Sequence, residues 1–159
     1  SRQSAVWCLN KFGQTEFIFK NSCRRYHLFI LGRLMTHKMM GHYKNLQAYR
    51  KAFDLAVQIF QITLTFPSDE KFGLTSQIRR SSRSVCSNLA EGYRKRRYRA
   101  HFISKLTDSD MENSETVVWI DFAFSCGFIE KETKDILFFK AEEIGKLLCY
   151  MINHPDKFL

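Results

Sequence analysis

The densest chemistry in this chain is cationic. Arg79, Arg80, Arg83, Arg94, Lys95, Arg96, Arg97, Arg99 and Lys105 set nine bases between residues 79 and 105, against one acid, Glu91. Tyr93 and Tyr98 are interleaved with them. A guanidinium is a planar fork that matches a phosphate, and a tyrosine ring can stack on an unpaired base. So dense a cluster repels itself unless a polyanion or an acidic protein surface relieves it. The pattern suits RNA or DNA. It also suits a solvated loop with interfacial salt bridges, since one composition serves both. The acids come later: Asp108, Asp110, Glu112 and Glu115, then Glu130, Glu132, Asp135, Glu142 and Glu143. Opposite charge on separate helices suits head-to-tail packing of copies, a contact that closes into a ring. Solvated faces are the alternative, favoured for the later acids.

Residue types that could catalyse or bind metal lack the spacing for it. His42, His101 and His154 are scattered, and no HExxH occurs. Asp108, Asp110 and Glu112 lack the glycine and the terminal Glu of a calcium loop. They also lack the Glu-x-x-His of a di-iron helix pair. Glycines are too sparse for a P-loop or a GxGxxG turn. Cys86 falls beside an apolar stripe with no His near in sequence, which makes a poor nucleophile. The five cysteines form no CxxC. They read as reduced, mostly buried thiols of a cytoplasmic protein. No enzyme activity, cofactor or metal is expected.

These residues need elements to position them. The 159 residues suit one domain, or one domain plus a tail. No run of about 18 apolar residues exists, so no membrane span is expected. From residue 40 four helical segments follow. The first runs from about Asn45, a possible N-cap, to Thr65, with Leu46, Tyr49, Phe53, Ala56, Val57, Phe60 and Leu64 as its stripe. Phe66-Pro67 ends it. The second runs from about Leu74 to Tyr93 on a stripe of Leu74, Ile78, Val85 and Leu89. Small Ser81, Ser82 and Cys86 lie beside it, and Gly92 loosens its end. The third runs from about Arg99 to Ser125, with Phe102, Leu106, Val118 and Phe122 apolar. Thr107 to Thr116 is unusually polar, and Gly127 takes the C′ position. The fourth runs from about Lys131 to Asn153 on Ile136, Leu137, Ile144, Leu147, Leu148, Met151 and Ile152, and Pro155 stops it. The pattern predicts an all-α protein, an up-down-up-down antiparallel four-helix bundle over residues 40–159.

The N-terminal extension, residues 1–39, differs in kind. It carries seven Lys/Arg against one acid, whereas residues 40–159 carry 18 against 15, so the net charge of +9 overstates how basic the bundle is. Its apolar runs, Phe17-Ile18-Phe19 and Leu28-Phe29-Ile30-Leu31, hold neither helical nor strand period. It is expected to be poorly ordered, or a leader or wrongly extended frame upstream of Met39 or Met40. The alternative is a basic arm that binds nucleic acid.

Two stretches, FPSDEKFGLTSQIRR (residues 66–80) and SNLAEGY (residues 87–93), together with YKNL (residues 43–46), resemble a known family. They are similar to the bacterial four-helix-bundle proteins encoded by intervening sequences in large-subunit ribosomal RNA genes. The resemblance covers roughly residues 43–153. It implies a small bundle assembled as a homopentameric ring. The same superfamily includes the accessory variability protein of diversity-generating retroelements, a basic pentamer that works with a reverse transcriptase and its template RNA. Nucleic-acid binding is the role usually proposed for the family. Where the family often has Pro before the Ser-Asn of the second helix, this chain has Cys86, which should straighten that helix. In that block Gln77, Arg79 and Arg80 fall on more than one side of the helix, so not all can face solvent. Asn88 and Glu91 share a face with structural potential: a hydrogen bond to a neighbouring helix, or neutralisation of an Arg on a neighbouring subunit.

Overall fold

Apolar residues at steps of three and four, broken by Pro and Gly, form four helices joined by short turns. They are α1 (Gln47–Ile62), α2 (Leu74–Lys95), α3 (Arg99–Ser125) and α4 (Lys131–Asn153). The computed structural model describes two short strands near the start of the chain and residues 42–159. The chain divides into two compact units, Ser1–Met40 and Gly41–Leu159. In the first, β1 (Val6–Leu9) pairs antiparallel with β2 (Thr15–Ile18), Val6 opposite Ile18 and Leu9 opposite Thr15. These strands lie where the sequence reading found no strand period. Two strands of four residues are too short to establish a period, though Val, Trp, Thr, Phe and Ile favour extended backbone. The run Leu28–Leu31 lies outside the described residues.

In the second unit each helix packs against the next, and α1 closes the ring against α4. Only Arg96–Tyr98 separate α2 from α3, so the two run antiparallel, and the whole is an up-down-up-down four-helix bundle. Among the described residues no helix is long and apolar enough to cross a membrane.

The ends show why each helix stops. Phe66, before Pro67, is extended (ψ 151°). At the end of α3, Gly127 adopts φ 73°, Phe128 N–H donates to the Ala123 carbonyl (2.8 Å), and Gly127 N–H donates to that of Phe124 (2.9 Å). That pair of hydrogen bonds is a Schellman motif, and it needs the left-handed glycine. The start of α1 corrects an expectation. Asn45 belongs to a 3-10 turn (Tyr43–Asn45), and the N-cap is Leu46, which offers no side-chain bond. The polar cap sits earlier, where His42 Nδ1 accepts from Lys44 N–H (3.2 Å).

The core also corrects the expected stripe of α1. Ala48, Ala52, Leu55 and Ile59 are buried, with Ala56 at their edge. Phe53, Val57, Phe60 and Leu64 are exposed by 55, 39, 40 and 64%. Both sets keep helical spacing, and the small-residue set wins because alanines let neighbouring helices approach. Val118, Phe122 and Ile136 are likewise exposed rather than core. The polar middle of α3 turns inward. Ser109, Asn113 and Thr116 continue the stripe from Phe102 and Leu106 to Ile120 and Ala123. Each is bonded: Ser109 Oγ donates to the Val85 carbonyl (2.9 Å), Thr116 Oγ1 to Ser81 Oγ (2.9 Å), and Asn113 Nδ2 to the Ala141 carbonyl (3.0 Å). Pairing removes much of the cost of burying them, although Asn113 Oδ1 is buried without a partner among the described residues.

Candidate nucleic-acid interface

The nine predicted cations separate into three groups. Arg79 and Arg83 lie along the α1–α2 seam. Arg79 Nε donates to Thr63 Oγ1 (2.7 Å), and its guanidinium lies 4.8 Å from the centroid of the Phe60 ring. Arg83 covers the same ring at 5.7 Å. Arg83 also lines an open apolar groove of about 470 Å³ formed with Tyr49, Phe53, Val57, Phe60 and Cys86. Arg80 is exposed, and its charge acts on Glu112 of α3. Gln77 is half-buried.

A second group is already neutralised. Lys105 Nζ lies 3.0 Å from Glu91 and 3.5 Å from Asp108, and it donates to Asn88 Oδ1 (3.1 Å). The Lys105 ammonium holds the Glu91 carboxyl below the usual carboxylate range, and Glu91 raises the affinity of Lys105 for its proton. Asn88 and Glu91 thus tie α2 to α3 within one chain. Gly92 serves the same seam. It lies inside α2, which continues to Lys95, so it does not loosen the helix end. A Cβ there would sit 3.0 Å from Lys105 Cβ, so the glycine permits the close approach of α3. Arg99 pairs with Asp156 (2.6 Å).

The third group occupies the α2–α3 turn. Arg94, Lys95 and Arg97 are exposed, and none has a carboxylate within ion-pair distance among the described residues. Arg96 folds back, its guanidinium 4.2 Å from the Tyr93 ring centroid and its Nη1 donating to the Tyr93 carbonyl (2.8 Å). The turn therefore concentrates unneutralised positive charge at one end of the bundle.

The remaining titratable groups do not assemble a reactive centre. Burial pushes the Cys86 thiol up to about 11, which keeps it protonated at neutral pH. Cys126 and Cys149 are exposed, contrary to the expectation of mostly buried thiols. Among the described residues no group of three or more His, Cys, Asp or Glu could hold a metal ion. Of the acids of α3, Asp108 is taken by Lys105, and Glu115 accepts from Trp119 Nε1 (3.0 Å). Burial raises Asp110 and Glu112 above the usual carboxylate range. The sequence reading missed Phe60 and Thr63 as the residues that hold Arg79. The signal was the second apolar stripe of α1, read there as core.

The second unit is thus a small antiparallel four-helix bundle with a basic turn at one end and an apolar groove on one flank. The family model of the 23S rRNA-intervening sequence protein matches residues 44–150. The chain belongs to that family. Its fold is similar to that of a solved protein of unknown function from the S23 ribosomal protein family of Bacteroides thetaiotaomicron. The two share 27% identity with a TM-score of 0.60, over 67% of this chain and 95% of the other. No curated protein matches.

Proposed function

We propose that this chain is a non-enzymatic nucleic-acid-binding protein, with RNA as its ligand, that works as a homo-oligomer. The observation that carries the reading is the α2–α3 turn, where Arg94, Lys95 and Arg97 stand exposed with no carboxylate within ion-pair distance among the described residues. Fixed cations displace condensed counterions from a phosphate chain, which gives affinity that is largely independent of sequence. Arg96 adjoins this surface, whereas Arg80, near the start of α2, lies about 21 Å away along the helix. Arg99 and Lys105 contribute less, because Asp156 and Glu91 already neutralise them. Arg79 and Arg83 belong to the apolar seam instead. Self-association is supported by the exposed stripe of Phe53, Val57 and Leu64, beside the Phe60 ring that Arg79 and Arg83 partly cover. Five copies is the number the family resemblance implies.

The test is a salt titration of binding between the full chain and the RNA that surrounds its own gene, beside an unrelated RNA. Steep salt dependence with preference for its own RNA is the expected result. Steep dependence without preference would mean a general polyanion surface. No binding at low salt refutes the reading.

A second reading is favoured by the same groove. Arg83 in the lining of an apolar cleft suits an acidic protein partner, making the chain a scaffold or an accessory subunit, for example of a reverse transcriptase. The absorbance ratio at 260 and 280 nm of protein purified at low salt separates the two. Co-purified nucleic acid supports the first.

A further inference from the structure

We propose that Tyr98 is a stacking platform for an unpaired base, so that the basic turn takes single-stranded or loop nucleotides in preference to duplex. This rests on the nucleic-acid reading of the turn and adds the class of nucleic acid.

The two tyrosines of the turn are equivalent in composition but not in the structure. Tyr93 is covered by the Arg96 guanidinium. Tyr98 is 66% exposed, and its aromatic neighbour among the described residues, His101, stands perpendicular to it at 5.9 Å and 87°, a contact that covers at most one of its ring faces. The backbone beneath Tyr98 is held on both sides. Its N–H donates to the Lys95 carbonyl (2.8 Å), and its carbonyl accepts from Phe102 N–H (3.0 Å). Phe102 is fully buried in the core. A ring displayed from anchored backbone, with two side-chain torsions to fix, loses little entropy on binding.

Arg94, Lys95 and Arg97 lie within four residues of this ring and supply the charge for the flanking phosphates. Charge alone does not select a single strand, since a duplex carries the denser phosphate charge. A free ring face does, because paired bases are already stacked on each other and offer no face to a side chain. Tyr98 therefore contributes only where a base is unpaired.

The test uses the full chain with Tyr98→Ala and Tyr98→Phe, and two probes of equal length, an oligouridylate single strand and a blunt RNA duplex. Tyr98→Ala should weaken the single strand about tenfold and leave the duplex within about twofold, while Tyr98→Phe keeps wild-type affinity for both. Equal losses on both probes overturn the proposal. So does no loss on either while Arg94→Ala/Lys95→Ala/Arg97→Ala still weakens both, a result that leaves the nucleic-acid reading standing. A charge variant that binds both probes as wild type does overturns both readings. Binding of polyglutamate with neither RNA bound also overturns both, in favour of an acidic protein partner.

Discussion

Removing the three exposed turn cations together, Arg94→Ala/Lys95→Ala/Arg97→Ala, should flatten the salt dependence of RNA binding without unfolding the bundle. Each cation that neutralises a phosphate of a single strand contributes about 0.7 to the slope of log affinity against log salt. Three of them contribute about 2. Between about 50 and 200 mM salt the wild type should therefore lose about 10–20-fold more affinity than the variant. The stability cost is small, because these side chains are exposed and carry no ion pair among the described residues. A charge-matched control separates position from total charge. The antiparallel topology puts Lys71, Lys131 and Lys134, which precede α2 or open α4, at the opposite end of the bundle. Replacing those three with Ala removes the same net charge there, and it also frees Asp135 and Asp121, the ion-pair partners of Lys131 and Lys134. Fluorescence anisotropy over a salt series, with circular dichroism melting of each variant, reads both quantities. Equal slopes for the two triple variants would refute the assignment to the turn, and an unchanged slope in the first would refute the turn as a contact at all.

Gly92→Ala should destabilise, although alanine is the better helix former, because its Cβ would sit 3.0 Å from Lys105 Cβ and α3 would have to move. A loss of about 1–3 kcal/mol in chemical denaturation is expected, and a variant as stable as wild type would show that the seam is not tight. Asp110→Asn should stabilise at neutral pH. Burial raises the folded-state pKa of Asp110 above its unfolded value, so the carboxylate penalises the fold as pH rises through that range. The advantage should vanish once both states are protonated, below the usual carboxylate range, and a gain that persists there would rule out titration of Asp110 as its cause. Cys86 should alkylate far more slowly than Cys126 and Cys149 at neutral pH, since burial holds it as a thiol up to about 11 while the other two are exposed. Mass-spectrometric mapping of iodoacetamide adducts reads the order, and rapid labelling of Cys86 in folded protein would contradict its placement.

Much of the bundle is legible because helix periods and breakers are local. Phe66-Pro67, Gly127 and Pro155 mark three ends with no knowledge of neighbours, and α3 and α4 begin and end where the spacing says. The stripe of α2 is legible too, since Leu74, Ile78, Val85 and Leu89 are its large aliphatic residues and no second stripe competes. In α1 two stripes compete, and the bulkier one misleads. Side-chain size ranks Phe53 and Phe60 above Ala48 and Ala52, but burial depends on how closely α2 and α4 approach. The polar centre of α3 is the converse case. Ser109, Asn113 and Thr116 look solvated in sequence, and their bonding partners come from α2 and α4. For the site, the basic cluster and the pairing potential of Asn88 and Glu91 are visible in the chain.

What the sequence determined by itself is the helical class, the turn positions, the family motif and the presence of one basic concentration. All follow from residue identity, spacing and backbone preference. What only the tertiary structure decided is which cations remain unneutralised and which apolar stripe is the core. Lys105 is free in sequence and bound to Glu91 in space, Arg79 is a surface cation in sequence and lies on Phe60 in space, and Tyr93 and Tyr98 part only when Arg96 covers one of them. The physical reason is range. A helix is specified over a few residues, whereas a charge, an aromatic face or a stripe is defined by what another helix brings within a few ångströms of it.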